Sequence, residues 1–219
     1  MQHHGPQSAD DTGSPGDSST ERSAFSLRLA RATLGLLALA ASLQALGSLW
    51  CLATGRFLFA LGGAEPRLDY LDLPQVLRAQ SRDGEVAYLV DLDFWVRLVG
   101  YTPAVLTGVV MALGAAWGVA VLGTIGRGRP FDPAVLRGMR RIGFVLSLGG
   151  VVAGALDVAA NWMLANQLDD LFTHGPYEGL VYDGGSWPVA VIVIGVVVLA
   201  TGAAFREGAR MTEELTHVV

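Results

Sequence analysis

Four long apolar runs, at 32–55, 102–125, 142–165 and 187–205, constrain this chain more than any other feature. Each can cross a hydrocarbon core of about 30 Å as a helix rising about 1.5 Å per residue. Lipid offers no partner for a free backbone N–H or C=O. A chain with four such runs and no alternating barrel pattern therefore folds as membrane helices. The predicted class is an all-α membrane protein with four transmembrane helices. The charged fraction, 16%, falls well below the roughly one quarter of ordinary soluble domains, and the shortfall lies in the four runs.

Between the runs lie a long loop at 56–101, a short link at 126–141 and a second loop at 166–186. Residues 1–24, rich in Gly, Ser, Asp and Pro, predict a disordered tail. Residues 25–215 form one membrane domain, followed by the end at 216–219. The first run is longer than a signal-peptide core and has no convincing cleavage site beyond it, so it reads as a retained span. All fifteen basic residues are arginine. Ten of them flank the tails and the short link (Arg22, Arg28, Arg31, Arg127, Arg129, Arg137, Arg140, Arg141, Arg206 and Arg210), against five in the first loop. Short basic segments are retained in the cytoplasm, which predicts both termini inside. Trp50, Trp95, Trp162 and Trp187 fall at the outer ends of the spans, where an indole favours the interface, and Trp117 alone lies within a span.

The first loop is long enough for a small outer cap over the bundle but not for an independent catalytic domain. Within it, residues 73–80 predict a short helix with Asp72 as N-cap and Pro74 in the first turn. Residues 85–95 fit either a strand or an extension of the second span. Ser186 is placed to cap the fourth helix, with Pro188 in its first turn. Asp132 followed by Pro133 marks the start of the third helix. Arg137, Arg140 and Arg141 then share one face at the level of anionic headgroups.

Asp157 is the sharpest candidate for chemistry, because an ionisable group in a span is costly unless paired, neutralised or wet. Its position, some fifteen residues into the third run, places it in the outer third of the core. Asn161 lies one turn further on the same face, and Gln44 lies at a comparable depth in the first span. One reading is an outward-facing polar site for a proton, ion or ligand. The favoured reading is structural, with Asp157 paired to Arg97 and bonded to Asn161 or Gln44. Transport paths usually display polar groups at several depths, and spans two and four offer only threonines.

Histidines 3, 4, 174 and 217 lie outside the spans, so no axial haem ligand is available. Asp169, Asp170, His174, Glu178 and Asp183 match no known metal spacing and read as a solvated acidic loop. Cys51 sits in the first span, where it packs as a small apolar residue. No nucleophile with its base and no Walker sequence is assembled, so no enzyme, cofactor or metal is expected. With a net charge of −5 and no large basic face, direct nucleic-acid binding is not expected either. Gly114 with Gly118, and Gly150 with Gly154, allow close helix approach. They are read as holding this bundle together, with a homo-oligomer interface as the lesser reading.

Two segments carry a resemblance. Gly128-Arg129-Pro130-Phe131, followed by Arg140-Arg141-Ile142-Gly143, is one; Phe205-Arg206-Glu207-Gly208-Ala209-Arg210-Met211-Thr212-Glu213-Glu214 is the other. Together they resemble a family of bacterial four-span membrane proteins, domain of unknown function 2975. The resemblance implies four helices, a Gly-x-Pro-Phe turn on the cytoplasmic side and a C-terminal Phe-Arg-x-Gly segment. It also implies a link to a small helix-turn-helix regulator, since members of such families often lie beside one. The tail departs from the family ending, reading Leu215-Thr216-His217-Val218-Val219 where an acidic residue before Leu-Thr-Val is common.

These readings converge on a multi-pass protein of the bacterial inner membrane whose partners are the lipid bilayer and a regulatory protein. Arg137, Arg140, Arg141, Arg206 and Arg210 would form a cytoplasmic docking or lipid-headgroup face. The alternative is a small transporter or ligand sensor built on Asp157, Asn161, Gln44 and Arg97.

Overall fold

The computed structural model describes residues 17–58, 66–81, 86–91, 93–129, 131–173 and 177–216. Among them are four long helices: α1 (Asp17–Thr54), α2 (Phe94–Ile125), α3 (Pro133–Thr173) and α4 (Val189–Thr216). Each contains a stretch long and apolar enough to cross a membrane, namely Phe25–Thr54, Phe94–Ile125, Pro133–Asn166 and Val189–Gly208. The helices pack in chain order, α1 on α2, α2 on α3 and α3 on α4. Neighbours run antiparallel: Leu34 meets Gly118 where Ala45 meets Gly108, and Gly138 meets Val121 where Gly149 meets Val110. The start of α1, the end of α4 and the short link thus lie at one end of the bundle, the terminal end. The two loops lie at the other, the loop end. An apolar cleft of about 260 Å³, lined by Leu34, Leu37, Ile194 and Val198 among others, separates α1 from α4.

The helices overrun the apolar stretches that define them. α1 is already helical from Asp17, so residues 17–24 are not the disordered segment their composition predicts, while residues 1–16 lie outside the described set. Extending an existing helix adds one backbone bond for each residue ordered, so a membrane span readily carries a polar turn or two beyond itself. α2 likewise starts at Phe94, not 102, which settles the end of the 85–95 stretch as helix. Asp132 Oδ1 accepts from the Ala134 N–H at 2.8 Å, and α3 starts at Pro133 as predicted. α4 starts later than expected, at Val189. The Val189 N–H donates to the Trp187 carbonyl and Ile192 N–H to that of Pro188, so Pro188 precedes the helix and Ser186 is not its cap. Gly55 ends α1: its φ of +65° is left-handed, its N–H donates to the Cys51 carbonyl, and a Cβ there would lie 3.0 Å from the Val90 backbone.

At the loop end the predicted helix at 73–80 is replaced by strand. Tyr70–Asp72 forms one 3-10 turn, followed by β1 (Val76–Ser81), which pairs antiparallel with β2 (Tyr177–Tyr182) of the second loop. The partner strand lies some hundred residues away in the chain, so no local pattern announces it, and the pairing overrides the helix-start signal of Asp72 and Pro74. Asp72 serves the preceding turn instead. Asp69 is the N-cap, its carboxylate accepting from Leu71 N–H, and the Asp72 carboxylate accepts from Asp69 N–H at 2.7 Å.

A tight core joins these loops to the helix ends. Leu68, Tyr70, Leu73 and Leu89 from the first loop pack with Leu52 of α1, Val96 and Tyr101 of α2, Leu164 of α3 and Tyr177 of β2. Cys51 packs half-buried against it. Burial of this depth is concentrated where water drives it; between spans, lipid is as apolar as the side chains and small-residue contact takes over. Gly114 receives Leu146, Gly118 receives Leu34, Gly150 receives Ile192 and Gly154 receives the Trp187 ring. α3 and α4 approach closely where Gly143 and Gly195 face each other, and a Cβ on Gly195 would stand 2.6 Å from Ser147 N and 2.9 Å from Gly143 O.

Candidate functional sites at the two ends of the bundle

Asp157 is held by the loops and not by Arg97. Its Oδ1 accepts from Gln75 Nε2 at 3.1 Å and its Oδ2 from the Ser186 N–H at 2.7 Å. Gln75 is buried and its Nε2 also donates to the Gly100 carbonyl at 2.9 Å, so one amide joins the first loop, α2 and α3. Ser186 adds the second loop. The expected pairing of Arg97 with Asp157 is not made. Arg97 lies on the side of α2 that meets the end of α1, with its guanidinium 5.8 Å from the Phe94 ring centre and beside Gly55. Its Nε is buried and has no hydrogen-bond partner among the described residues.

Asn161 meets Asp157 through backbone only: its Nδ2 donates to the Asp157 carbonyl at 2.9 Å, one turn back along α3. Gln44 is exposed and makes no contact of this kind among the described residues, yet it lines the same cleft as Asp157, of about 290 Å³, with Thr107, Asp183 and Ser186. The structure therefore brings Asp157, Asn161 and Gln44 to one neighbourhood and leaves Arg97 outside it. Of the acidic loop residues, the side chains of Asp169, Asp170 and His174 lie outside the described set. Among the described residues no three His, Cys, Asp or Glu side chains are placed to hold a metal ion.

A second polar network fastens the loops to each other. The Tyr177 hydroxyl donates to the Asp69 carboxylate and accepts from the Ala87 N–H at 2.8 Å. Burial, and then the hydrogen bond to Asp69, raise the Tyr177 phenol above its ordinary value. Burial likewise raises the Asp72 carboxyl, against the backbone bond from Asp69 that favours its charged form.

At the terminal end, Phe131 of the link packs against Phe205 of α4, ring centres 6.0 Å apart and planes inclined at 53°. The two segments that carry the family resemblance thus touch. At the same end of the bundle Arg137, Arg140, Arg141, Arg206 and Arg210 are all exposed. The three link arginines do not act as one group: Arg137 and Arg141 line a cleft of about 340 Å³ against α2, with Trp117 and Thr124, and Arg140 does not. Arg137 Nε donates to the Pro133 carbonyl at 3.3 Å, and Arg210 pairs with Glu207 at 3.5 Å. Trp117, the indole placed deepest by sequence, stands half-buried beside these guanidinium groups.

Comparison with known proteins adds one finding. A family model described as protein of unknown function (DUF2975) matches residues 60–219, which covers α2, α3, α4 and both strands. Searches among curated proteins and among solved structures each found no match.

Proposed function

The chain belongs to the DUF2975 family of proteins of unknown function, and on that premise we propose that it is a non-catalytic interaction protein of the bacterial inner membrane, with its terminal end cytoplasmic. The observation that carries this reading is the contact of Phe131 with Phe205. It joins the link and the start of the tail at the end of the bundle where Arg137, Arg140, Arg141, Arg206 and Arg210 are exposed. Exposed guanidinium groups at the same end as an aromatic pair suit an acidic protein segment, since arginine forms bidentate bonds to carboxylates. The partner class is a regulatory protein, with a helix-turn-helix regulator the first candidate. The loop end, knitted by Gln75 to Asp157 and Tyr177 to Asp69, acts as an outer cap that fixes the helices.

Crosslinking in native membranes tests this, comparing the intact chain with Phe205→Ala and with Arg206→Glu/Arg210→Glu. The reading requires one specific partner, recovered with the intact chain and reduced in both variants at unchanged membrane insertion. Equal recovery with all three sinks it. The cleft shared by Gln44, Asp157 and Asp183 supports a second reading, a sensor of a small cationic ligand. That reading requires a ligand whose affinity falls on Asp183→Asn while thermal stability is kept.

A further inference from the structure

The two arginine-lined clefts at the terminal end lie on either side of the same helix turn. Leu27, Arg28 and Arg31 of α1 face Leu122, Gly123 and Arg127 at the end of α2 across a cleft of about 270 Å³. The cleft of Trp117, Thr124, Arg137 and Arg141 flanks α2 on its other side. Arg127 stands between them, and its Nη2 donates to Thr124 Oγ1 at 3.1 Å. Arg31 lies over Gly123, whose missing side chain leaves room: a Cβ there would be 3.7 Å from Arg31 Nη2 and 3.8 Å from its Cζ. Among the described residues none of these five arginines is paired with a carboxylate; the ion pair found there is that of Arg210 with Glu207. The cluster of Arg28, Arg31 and Arg127 about the first cleft, three guanidinium groups without acids, is a strong anion site in waiting.

What adjoins the cluster defines the anion. Val109, Leu113, Ala116 and Ala120 are all exposed and follow the helical spacing of one face of α2, and Arg127 continues that face two turns beyond Ala120. From residue 109 to 120 the helix rises about 16 Å, close to half of a hydrocarbon core of about 30 Å. An apolar strip of one-leaflet length thus ends in a basic cleft at headgroup level. A soluble anion would use only the cleft; a phospholipid uses both parts. Trp117 beside the second cleft has the amphipathic ring favoured at that depth.

We propose that the terminal end binds an anionic phospholipid, its phosphate held by Arg31 and Arg127 with Arg28 alongside, and an acyl chain lying on the Val109–Ala120 strip of α2. The site depends on the spans crossing a membrane but not on a protein partner, and it does not use Phe205, Arg206 or Arg210.

The test is lipid retention by the full-length chain, purified in mild detergent and reconstituted in discs of mixed phosphatidylglycerol and phosphatidylcholine, read by native mass spectrometry. Phosphatidylglycerol should be retained in preference to phosphatidylcholine. Arg31→Gln/Arg127→Gln should lower that preference at least about tenfold, since each arginine at an anionic surface contributes roughly a several-fold factor. Gly123→Leu alters no charge and fills the space beneath Arg31, and it should lower the preference as well. Inorganic phosphate and glycerol phosphate at millimolar concentration should not compete. Unchanged preference in Gly123→Leu and in the double variant would overturn the site. Equal competition by inorganic phosphate would make it a soluble-anion site and overturn the lipid assignment, as would displacement of lipid by a second copy of the chain. If the double variant fails to insert, Gly123→Leu alone decides.

Discussion

Asp157→Asn separates a structural carboxylate from a functional one, and the geometry sets its cost. Asp157 accepts two hydrogen bonds, from Gln75 Nε2 and from Ser186 N–H. Asparagine keeps one acceptor and presents an NH₂ group to the other donor. If its oxygen stays with Ser186, its nitrogen meets the Gln75 nitrogen. Turning the Gln75 amide to answer it would aim Oε1 at the Gly100 carbonyl and break the 2.9 Å bond made there. An asparagine that turns its oxygen to Gln75 instead gives up the Ser186 bond, so in either orientation one of the two bonds is lost and the other has a neutral acceptor. A bond to a charged group contributes about 1.5–3 kcal/mol and a neutral one about 1 kcal/mol, and the exposed Ser186 side, which water can serve, puts the second orientation at the low end. The expected loss is therefore about 1.5–3 kcal/mol, reduced by whatever is gained on removing a charge from a half-buried position. Unfolding by SDS in mixed micelles measures it. A double-mutant cycle with Gln75→Leu assigns it, because groups in direct contact couple by about 0.5–3 kcal/mol. A cycle with Arg97→Leu should show no coupling. Full stability of Asp157→Asn, or coupling to Arg97 instead of Gln75, would refute the reasoning.

Other outcomes follow from the same structure. Gly195→Ala should destabilise by about 1–3 kcal/mol, because its Cβ meets backbone atoms of α3 that cannot swing aside, whereas Gly35→Ala and Gly47→Ala, with nothing within 4 Å, should cost nothing in the same SDS titration. The raised Tyr177 phenol keeps its proton in the folded chain after the unfolded chain, ionising near the usual value of about 10, has lost it. Stability attributable to Tyr177 is thus constant below that value and falls as pH rises through it, and Tyr177→Phe should flatten the alkaline slope while losing about 1 kcal/mol at neutral pH from the bond to Asp69. An alkaline slope unchanged by Tyr177→Phe would contradict the network. Phe131→Ala and Phe205→Ala should weaken partner recovery to the same degree and no further when combined, as the two rings form one contact.

The spans were legible because hydropathy over about twenty residues is a one-dimensional signal that lipid enforces directly. The start of α3 at Pro133 was legible because the Asp132 cap acts within three residues. The loop end was not, for the opposite reason: β1 exists through β2, and Leu73 is buried by contacts from α2 and other distant elements, so the Asp72-Leu73-Pro74 signal pointed to a helix that long-range pairing cancels. Asp157 was found from sequence, since a carboxylate in an apolar run is conspicuous. Its partner was missed, since Gln75 looked like a loop residue and Arg97 was the nearest charge to suggest. Gly143 and Gly195 were missed because each is single in its stretch, and only the crossing of α3 and α4 pairs them. Sequence shows Arg31 and Arg127 only as charges; their shared cleft needs α1 to lie antiparallel on α2.

The proposed orientation underlies both the docking surface and the role given to the loop end, and cysteine accessibility tests it most directly. In a Cys51→Ser background, single cysteines at Leu77 and Val181 report the loop end, and single cysteines at Arg129 and Met211 report the terminal end; all four positions are exposed. A membrane-impermeant maleimide applied to intact spheroplasts should label Leu77→Cys and Val181→Cys at once, and Arg129→Cys and Met211→Cys only after the membrane is opened. Labelling of Arg129→Cys and Met211→Cys in intact spheroplasts, with the loop-end cysteines protected, would contradict the account.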